Sequence, residues 1–304
     1  GLFLSSGIIQ SADYTMEQLV AIARELREVH QFRGYIHLKT IPDADPALIA
    51  AAGLYADRLS VNIELPTEAA VARLAPEKSV HTIKLAMGSI RRKLDEKAEE
   101  PRSPKFAPAG QSTQMIVGAD SSDDQTILST AETLYGSYKL KRVYYSAFSP
   151  IPQSPGSVPL APPPMQREHR LYQADFLLRS YGFQANELLP EAGNLALDID
   201  PKLAWALAHR EHFPLDLNMA DETMISRVPG IGLRNARRLV ELRRLRRIRY
   251  ADLVRLRCSM KKIAPFIVAA DYRPAQGAAA SDVLRRSMAE QPKQLDLWTE
   301  LQAA

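Results

Sequence analysis

Near the C-terminal end of the 304-residue chain, Val228-Pro229-Gly230-Ile231-Gly232 stands just ahead of Arg234, Arg237 and Arg238. Proline ends a helix and the glycines admit φ values that most residues avoid, so the segment predicts a tight turn between two helices. Such a turn exposes backbone N–H groups beside a helix N-terminus, where a phosphate can approach and guanidiniums can pair with its oxygens. Leu217-Asn218-Met219-Ala220-Asp221 can cap the helix before the turn, whose inner face carries Met224, Ile225 and Val228. Ala236, Leu239, Val240 and Leu242 supply the inner face of the helix after it. Tyr250-Ala251-Asp252-Leu253-Val254 begins a further helix, with Cys258-Ser259-Met260-Lys261-Lys262 as a degenerate second turn. The competing reading is a Pro-Gly turn between packing helices, with its arginines as a solvated face. Charge favours the first. From Arg227 to Lys262 there are 13 Lys or Arg against Glu241 and Asp252, a local +11, whereas the rest of the chain carries 26 basic and 33 acidic groups. A field confined to one segment, in a chain of net charge +4, implies a polyanionic partner for that segment.

The elements that precede this region alternate short apolar runs with amphipathic stretches, the βα pattern of a parallel sheet. Strands are expected at Leu2 to Ile9, Tyr35 to Ile41, Arg58 to Leu65, Thr113 to Gly118 and Lys141 to Phe148. Helical spacing runs through Met16, Leu19, Val20, Ala23 and Leu26, from Pro46 to Gly53, and near His81 to Lys97. Two arrangements are open at this point, a partial α/β barrel and an open doubly wound sheet. In either, function sits at the carboxyl ends of the strands. Those ends read Ser5-Ser6-Gly7, Lys39-Thr40, Asn62-Ile63-Glu64, Gly118-Ala119-Asp120 and Tyr145-Ser146. Small and polar groups of this kind suit a nucleoside with an amino-acid tail, although Ser, Gly and Asn also end strands simply because turns start there.

Composition narrows the class. Hydrophobic residues make up 46% and charged residues 24%, the balance of a globular chain, and no apolar run approaches a membrane span. The single Cys258 excludes an intrachain disulfide and points to a reducing, cytoplasmic setting. Proline-rich residues 151–164 read as an extended connector, helical texture returns over Met165 to Tyr181 and Pro201 to His209, and Arg273 to Gln294 reads as a flexible tether. His209 and His212 fall three apart, without a carboxylate-rich third-ligand pattern, so no metal site is read there.

The basic segment resembles the helix-hairpin-helix of DNA repair and uptake proteins over some 50 residues, Pro-Gly-Ile-Gly followed by Ala236 being the specific match. More of the chain is similar to a radical S-adenosylmethionine family described as putative DNA modification or repair proteins. Gly1-Leu2-Phe3-Leu4-Ser5-Ser6-Gly7, Tyr35-Ile36-His37-Leu38-Lys39, Leu59-Ser60-Val61-Asn62-Ile63-Glu64-Leu65-Pro66-Thr67 and Arg167-Glu168-His169-Arg170-Leu171-Tyr172 carry that likeness. The resemblance implies that Ser5, Ser6 and Gly7 hold the methionine amino group of S-adenosylmethionine, and that Asn62 and Glu64 contact the ribose. By the same likeness Ile116 and Gly118 stand near the adenine, Tyr145 lies on the following strand, and Lys39 ends a strand of the same rim. Gln114 stands where the family's motif has its first Gly, and Ser121 where it has its Glu. The family's Cys-x-x-x-Cys-x-x-Cys loop, which ligates a [4Fe–4S] cluster, is absent, and Cys258 cannot replace it.

The resulting expectation is an α/β protein: residues 1–150 a partial parallel (β/α) barrel of radical S-adenosylmethionine type that lacks its first βα unit, and 151–214 a connector with helices. Residues 215–270 are then a small all-α helix-hairpin-helix domain binding the DNA backbone without sequence preference through Gly230, Ile231, Gly232, Arg234, Arg237 and Arg238. In the 271–304 tail, Gln294, Leu295, Leu297 and Trp298 are similar to the bacterial sliding-clamp binding pentapeptide, the alternative being a small terminal helix that packs Leu295 and Trp298 on its own domain. With the cysteine loop in a longer chain, the resemblance implies cleavage of S-adenosylmethionine to a 5′-deoxyadenosyl radical. A non-catalytic DNA-binding or repair scaffold with a remnant barrel is the reading from another class.

Overall fold

The short apolar runs become five parallel strands: β1 (Leu2–Leu4), β2 (Ile36–Lys39), β3 (Arg58–Ser60), β4 (Gln111–Val117) and β5 (Arg142–Ala147), hydrogen-bonded in chain order. The structure, a computed structural model, describes residues 1–151, 158–189, 193–275 and 281–289. Helices α1 (Ala12–Glu28), α2 (Pro46–Tyr55), α3 (Glu68–Leu74), α4 (Val80–Glu99) and α5 (Asp124–Tyr138) link the strands. Crossovers of one hand that always step to the next strand put their helices on one face. The sheet curls into a half-barrel. A doubly wound sheet would need the strand order to reverse, and it does not.

Alternation along the strands sorts the side chains. Ile36, Leu38, Leu59, Met115, Val117 and Val143 are fully buried on the helix side, against Met16, Ala23, Ala52, Ile83, Met87 and Ala131. Truncating Met16 or Met87 to Ala costs about 2–5 kcal/mol. Each crossover helix starts on a side-chain oxygen that accepts a backbone N–H: Ser11, Asp45, Thr67, Ser79 and Asp123. Such caps contribute about 1 kcal/mol apiece. Arg27 ties the end of α1 to two further chain segments, donating to the carbonyls of Tyr55 (2.9 Å), Phe32 (2.6 Å) and Gly34 (2.8 Å) and pairing with Asp57 at 2.7 Å.

Four strands are shorter than the apolar runs, whereas β4 begins two residues earlier than expected. β1 stops at Leu4 rather than Ile9, and Ile8 and Ile9 are exposed. β3 leaves its ladder at Ser60, yet residues 61–64 stay bound to β4, Glu64 N–H donating to the Gln114 carbonyl and Ile116 N–H to the Glu64 carbonyl.

The first unit comprises Gly1–Asp175 and the second Phe176–Ala304; α6 (Met165–Tyr181) belongs to both. In the second, α7 (Ala185–Leu188) and α8 (Pro201–Ala208) precede a single 3-10 turn, Arg210–His212. β6 (Leu215–Asp216) and β7 (Ile267–Val268) then bracket α9 (Glu222–Arg227), α10 (Leu233–Arg243), α11 (Tyr250–Arg255) and α12 (Met260–Ile263). The parallel β6–β7 pair corrects the all-α expectation. Leu217, Ile225, Val228, Ala236, Leu239, Ile248, Leu253, Ile263 and Phe266 are fully buried and form its core. The expected tether contains α13 (Ser281–Met288), which buries Leu284, pairs Arg285 with Asp198 at 2.7 Å and donates from Ser281 to the Leu207 carbonyl. An amphipathic face with a matching acid outweighs the alanine-rich texture around it. Gln294, Leu295, Leu297 and Trp298 lie outside the described residues. No described helix is long and apolar enough to cross a membrane.

Candidate functional site

At the carboxyl ends of β1–β3 a cavity of about 340 Å³ is lined by Ser6, Gly7, Lys39, Thr40, Asn62 and Glu64, with Lys78 just before α4 and Thr82 in its first turn. Five predicted positions thus meet. Glu64 anchors the group: its φ is +67°, a left-handed conformation that costs a residue with a Cβ about 1–2 kcal/mol. Bonds on both sides to β4 hold it there. Its carboxylate meets Lys78 Nζ at 2.5 Å and Lys39 Nζ at 3.9 Å. Lys78 was not legible in the sequence, because its partner lies fourteen residues away across a turn that no periodicity predicts. A larger cavity, about 570 Å³, runs between α4 and α5 beside the segment Ile63 to Glu68. Hydroxyls there are satisfied locally, Thr130 by the Pro66 carbonyl and Thr133 by that of Ser129, so the strand-end cavity is the candidate.

A polar relay continues across the inner face: Asn62 Nδ2 donates to Gln114 Oε1 (3.3 Å), and Gln114 Nε2 to Ser146 Oγ (2.8 Å). Gln114, the departure from the family's glycine, bridges β3 to β5. Further along this face the Phe3 ring meets His37 edge-on and Tyr144 lies tilted beyond it, the ring centroids 4.8 and 6.2 Å apart, and Ser112 lies beside His37. Burial, and then the Arg58 guanidinium, hold the His37 imidazole down at about 4.

Other predicted positions are elsewhere. Ser5 is exposed beside the cavity. Ile116 packs on the cluster of Leu65, Ala70, Val71 and Ala119. Gly118 has φ +83°, and a Cβ on it would stand 2.8 Å from Pro163. Tyr145 is corrected: two-residue alternation turns it to the helix side, where its hydroxyl donates to Asp175 (3.2 Å) and its backbone exchanges bonds with the Tyr172 hydroxyl. Tyr144 and Ser146 face inward instead. Arg170 is fully buried, and Arg167 pairs with Asp124 at 2.7 Å and donates to the Ser122 carbonyl, between β4 and α5.

In the second unit, Asp221 caps α9 and Gly230 makes the turn at φ +86°. A Cβ there would lie 2.9 Å from Ile263 and 3.1 Å from Lys262, which leaves only glycine. Gly230 is exposed and Gly232 partly so, whereas Ile231 is buried, 1% exposed, and is corrected from a contact residue to a core anchor. α10 opens on Gly232 with no side-chain cap, so its first-turn amides face outward, and Arg234, Arg237 and Arg238 are exposed around them. Among the described residues only Arg237 has an acidic neighbour, Glu222 at 3.7 Å.

The basic segment is less free than its count suggests. Arg227 lies between the Phe183 and Trp205 rings (4.4 and 5.0 Å) and pairs with Glu187 at 2.8 Å. Arg246 pairs with Asp252, whose carboxyl that guanidinium holds down at about 2. Beneath the turn the buried Lys202 donates to the Ile231 carbonyl (2.5 Å) and sits over the Tyr181 ring; burial pulls its ammonium down to about 7. Cys258 is buried beside Asn235, and burial pushes its thiol up. Compared with protein-family models, curated proteins and solved structures, the chain matches none.

Proposed function

We propose that this chain is a DNA-backbone-binding protein of radical S-adenosylmethionine type, implied in DNA modification or repair. Its second unit acts as a helix-hairpin-helix and its half-barrel as the S-adenosylmethionine-binding part. One observation carries the reading: the exposed Gly230 and Gly232 turn opens onto uncapped α10 amides, with Arg234, Arg237 and Arg238 around it. Amides and guanidiniums pair with phosphate oxygens whatever the base, so binding is sequence-insensitive and salt-dependent. The test is titration of a short duplex at two salt concentrations. Weak, salt-insensitive binding, or binding unchanged by Gly232→Val in a folded variant, overturns the reading.

For the half-barrel, the cavity chemistry supports a ligand that carries its own charges in both signs. Glu64, Lys39 and Lys78 offer both signs to an amino-acid tail, and Asn62 offers an amide to a ribose. Glu64→Ala should weaken S-adenosylmethionine binding at least tenfold in calorimetry. A [4Fe–4S] cluster, which would supply the electron for radical formation, needs three thiolates on one loop. These 304 residues hold one cysteine, buried in the second unit, so they do not fit a cluster and no radical step is derived from them. The second reading is a non-catalytic helix-hairpin-helix DNA-binding or repair scaffold whose half-barrel is a remnant. A base or sugar of nucleic acid is the substrate class that the second unit's partner implies.

A further inference from the structure

Where α8 ends, the chain makes the 3-10 turn Arg210–His212. Three residues per turn eclipse positions i and i+3, so His209 and His212 lie on one side with Glu211 between them. His209 Nδ1 stands 3.2 Å from Glu211 Oε1, and His212 Nε2 stands 3.8 Å from the same oxygen. One ligand atom from each of the three lies within 4.8 Å of the others. Neighbouring ligands of a tetrahedral ion with bonds of about 2.05 Å are about 3.4 Å apart, so small side-chain adjustments close the set.

The floor of this cluster is rigid. Trp205 lies against both imidazoles, with centroids 4.9 Å from His209 and 6.0 Å from His212, the latter pair stacked at 14°. Trp205 is itself fixed edge-on by Phe183 and Phe213 and covered by Arg227. His209 is half-buried and Glu211 and His212 are exposed, which leaves a coordination position open to water.

We propose that His209, Glu211 and His212 form a site for a divalent first-row transition ion, with Zn2+ the natural occupant and water its fourth ligand. Two imidazole nitrogens and one carboxylate oxygen match Zn2+, whereas Mg2+ and Ca2+ ask for oxygens throughout. A bound ion would staple the 3-10 turn to the end of α8 and so stabilise the Trp205 cluster by mass action.

The test uses the tag-free full chain. Calorimetry with Zn2+ should give one saturable site, unaffected by excess Mg2+, and Co2+ should develop the intense visible bands of tetrahedral coordination. In a Trp298→Phe background, which leaves Trp205 as the single tryptophan, Cu2+ should quench its fluorescence. His209→Ala with His212→Ala should weaken Zn2+ binding at least tenfold, about 1.4 kcal/mol, with the metal-free circular dichroism unchanged. Glu211→Gln, which leaves both rings in place, provides a milder second variant and should also weaken binding. Absence of saturable Zn2+ binding, or an isotherm unchanged by these substitutions, overturns the proposal.

Discussion

The strand-end cavity and the Gly230 turn balance charge in opposite ways. In the cavity Glu64 already has Lys78 and Lys39, and its conformation is fixed by backbone bonds on both sides. At the turn, α10 begins uncapped, and Arg234 and Arg238 have no acidic partner among the described residues. Paired charges are neutral at a distance and select for shape and local dipoles, which suits a small ligand carrying both signs. Unpaired ones project a field, which suits a polymer of one sign. Within the second unit the same contrast recurs: Arg227 is core between two rings, and Arg234 is surface.

Charge reversal tests this contrast most severely. Changing Arg234, Arg237 and Arg238 to Glu should lower duplex affinity at least hundredfold and reduce the log–log salt slope by about 2.7, read by fluorescence anisotropy. The two glycines then separate fold from binding. Gly230→Val must adopt φ +86° and displace Ile263, so denaturant melts should show a loss of about 3 kcal/mol. Gly232→Ala, at φ −87° and with only the Tyr181 hydroxyl at 3.8 Å, loses an N-cap residue but meets no clash, so it should cost no more than about 1 kcal/mol of stability while weakening binding.

A pH effect follows from Lys202. Its folded value, about 7, is below the ordinary 10.5, so between these values the unfolded chain binds more protons and stability rises with pH. The penalty of a buried ammonium is full below about 7 and gone above about 10.5. Lys202→Met should flatten that rise in melts taken near the two limits; an unchanged slope would show that the ammonium is solvated. Smallest of all, S-adenosylmethionine affinity at the cavity should change less than about twofold across the salt range that weakens DNA binding, because Glu64 is already partnered by Lys78 and Lys39.

Much of the scaffold was legible because the signals were local. Met165 to Tyr181 and Pro201 were marked by helical texture and proline. The strand ends that converge, Gly7, Lys39, Asn62 and Glu64, followed from strand order alone. What failed depended on geometry that periodicity does not carry. Tyr145 required knowing the inward face of β5, and Lys78 required the path of the chain after α3. Arg227 counted as surface charge because its companions Phe183, Trp205 and Glu187 are 22 to 44 residues away in sequence. α13 was masked by its alanine-rich surroundings.

One property of the sheet reaches beyond ligand chemistry. Because each strand pairs only with its neighbours in sequence, every ladder closes over a single helical connection, except β3 to β4, which spans two. Assembly can advance unit by unit as the ribosome releases the chain, with the doubled connection as its slowest loop to close.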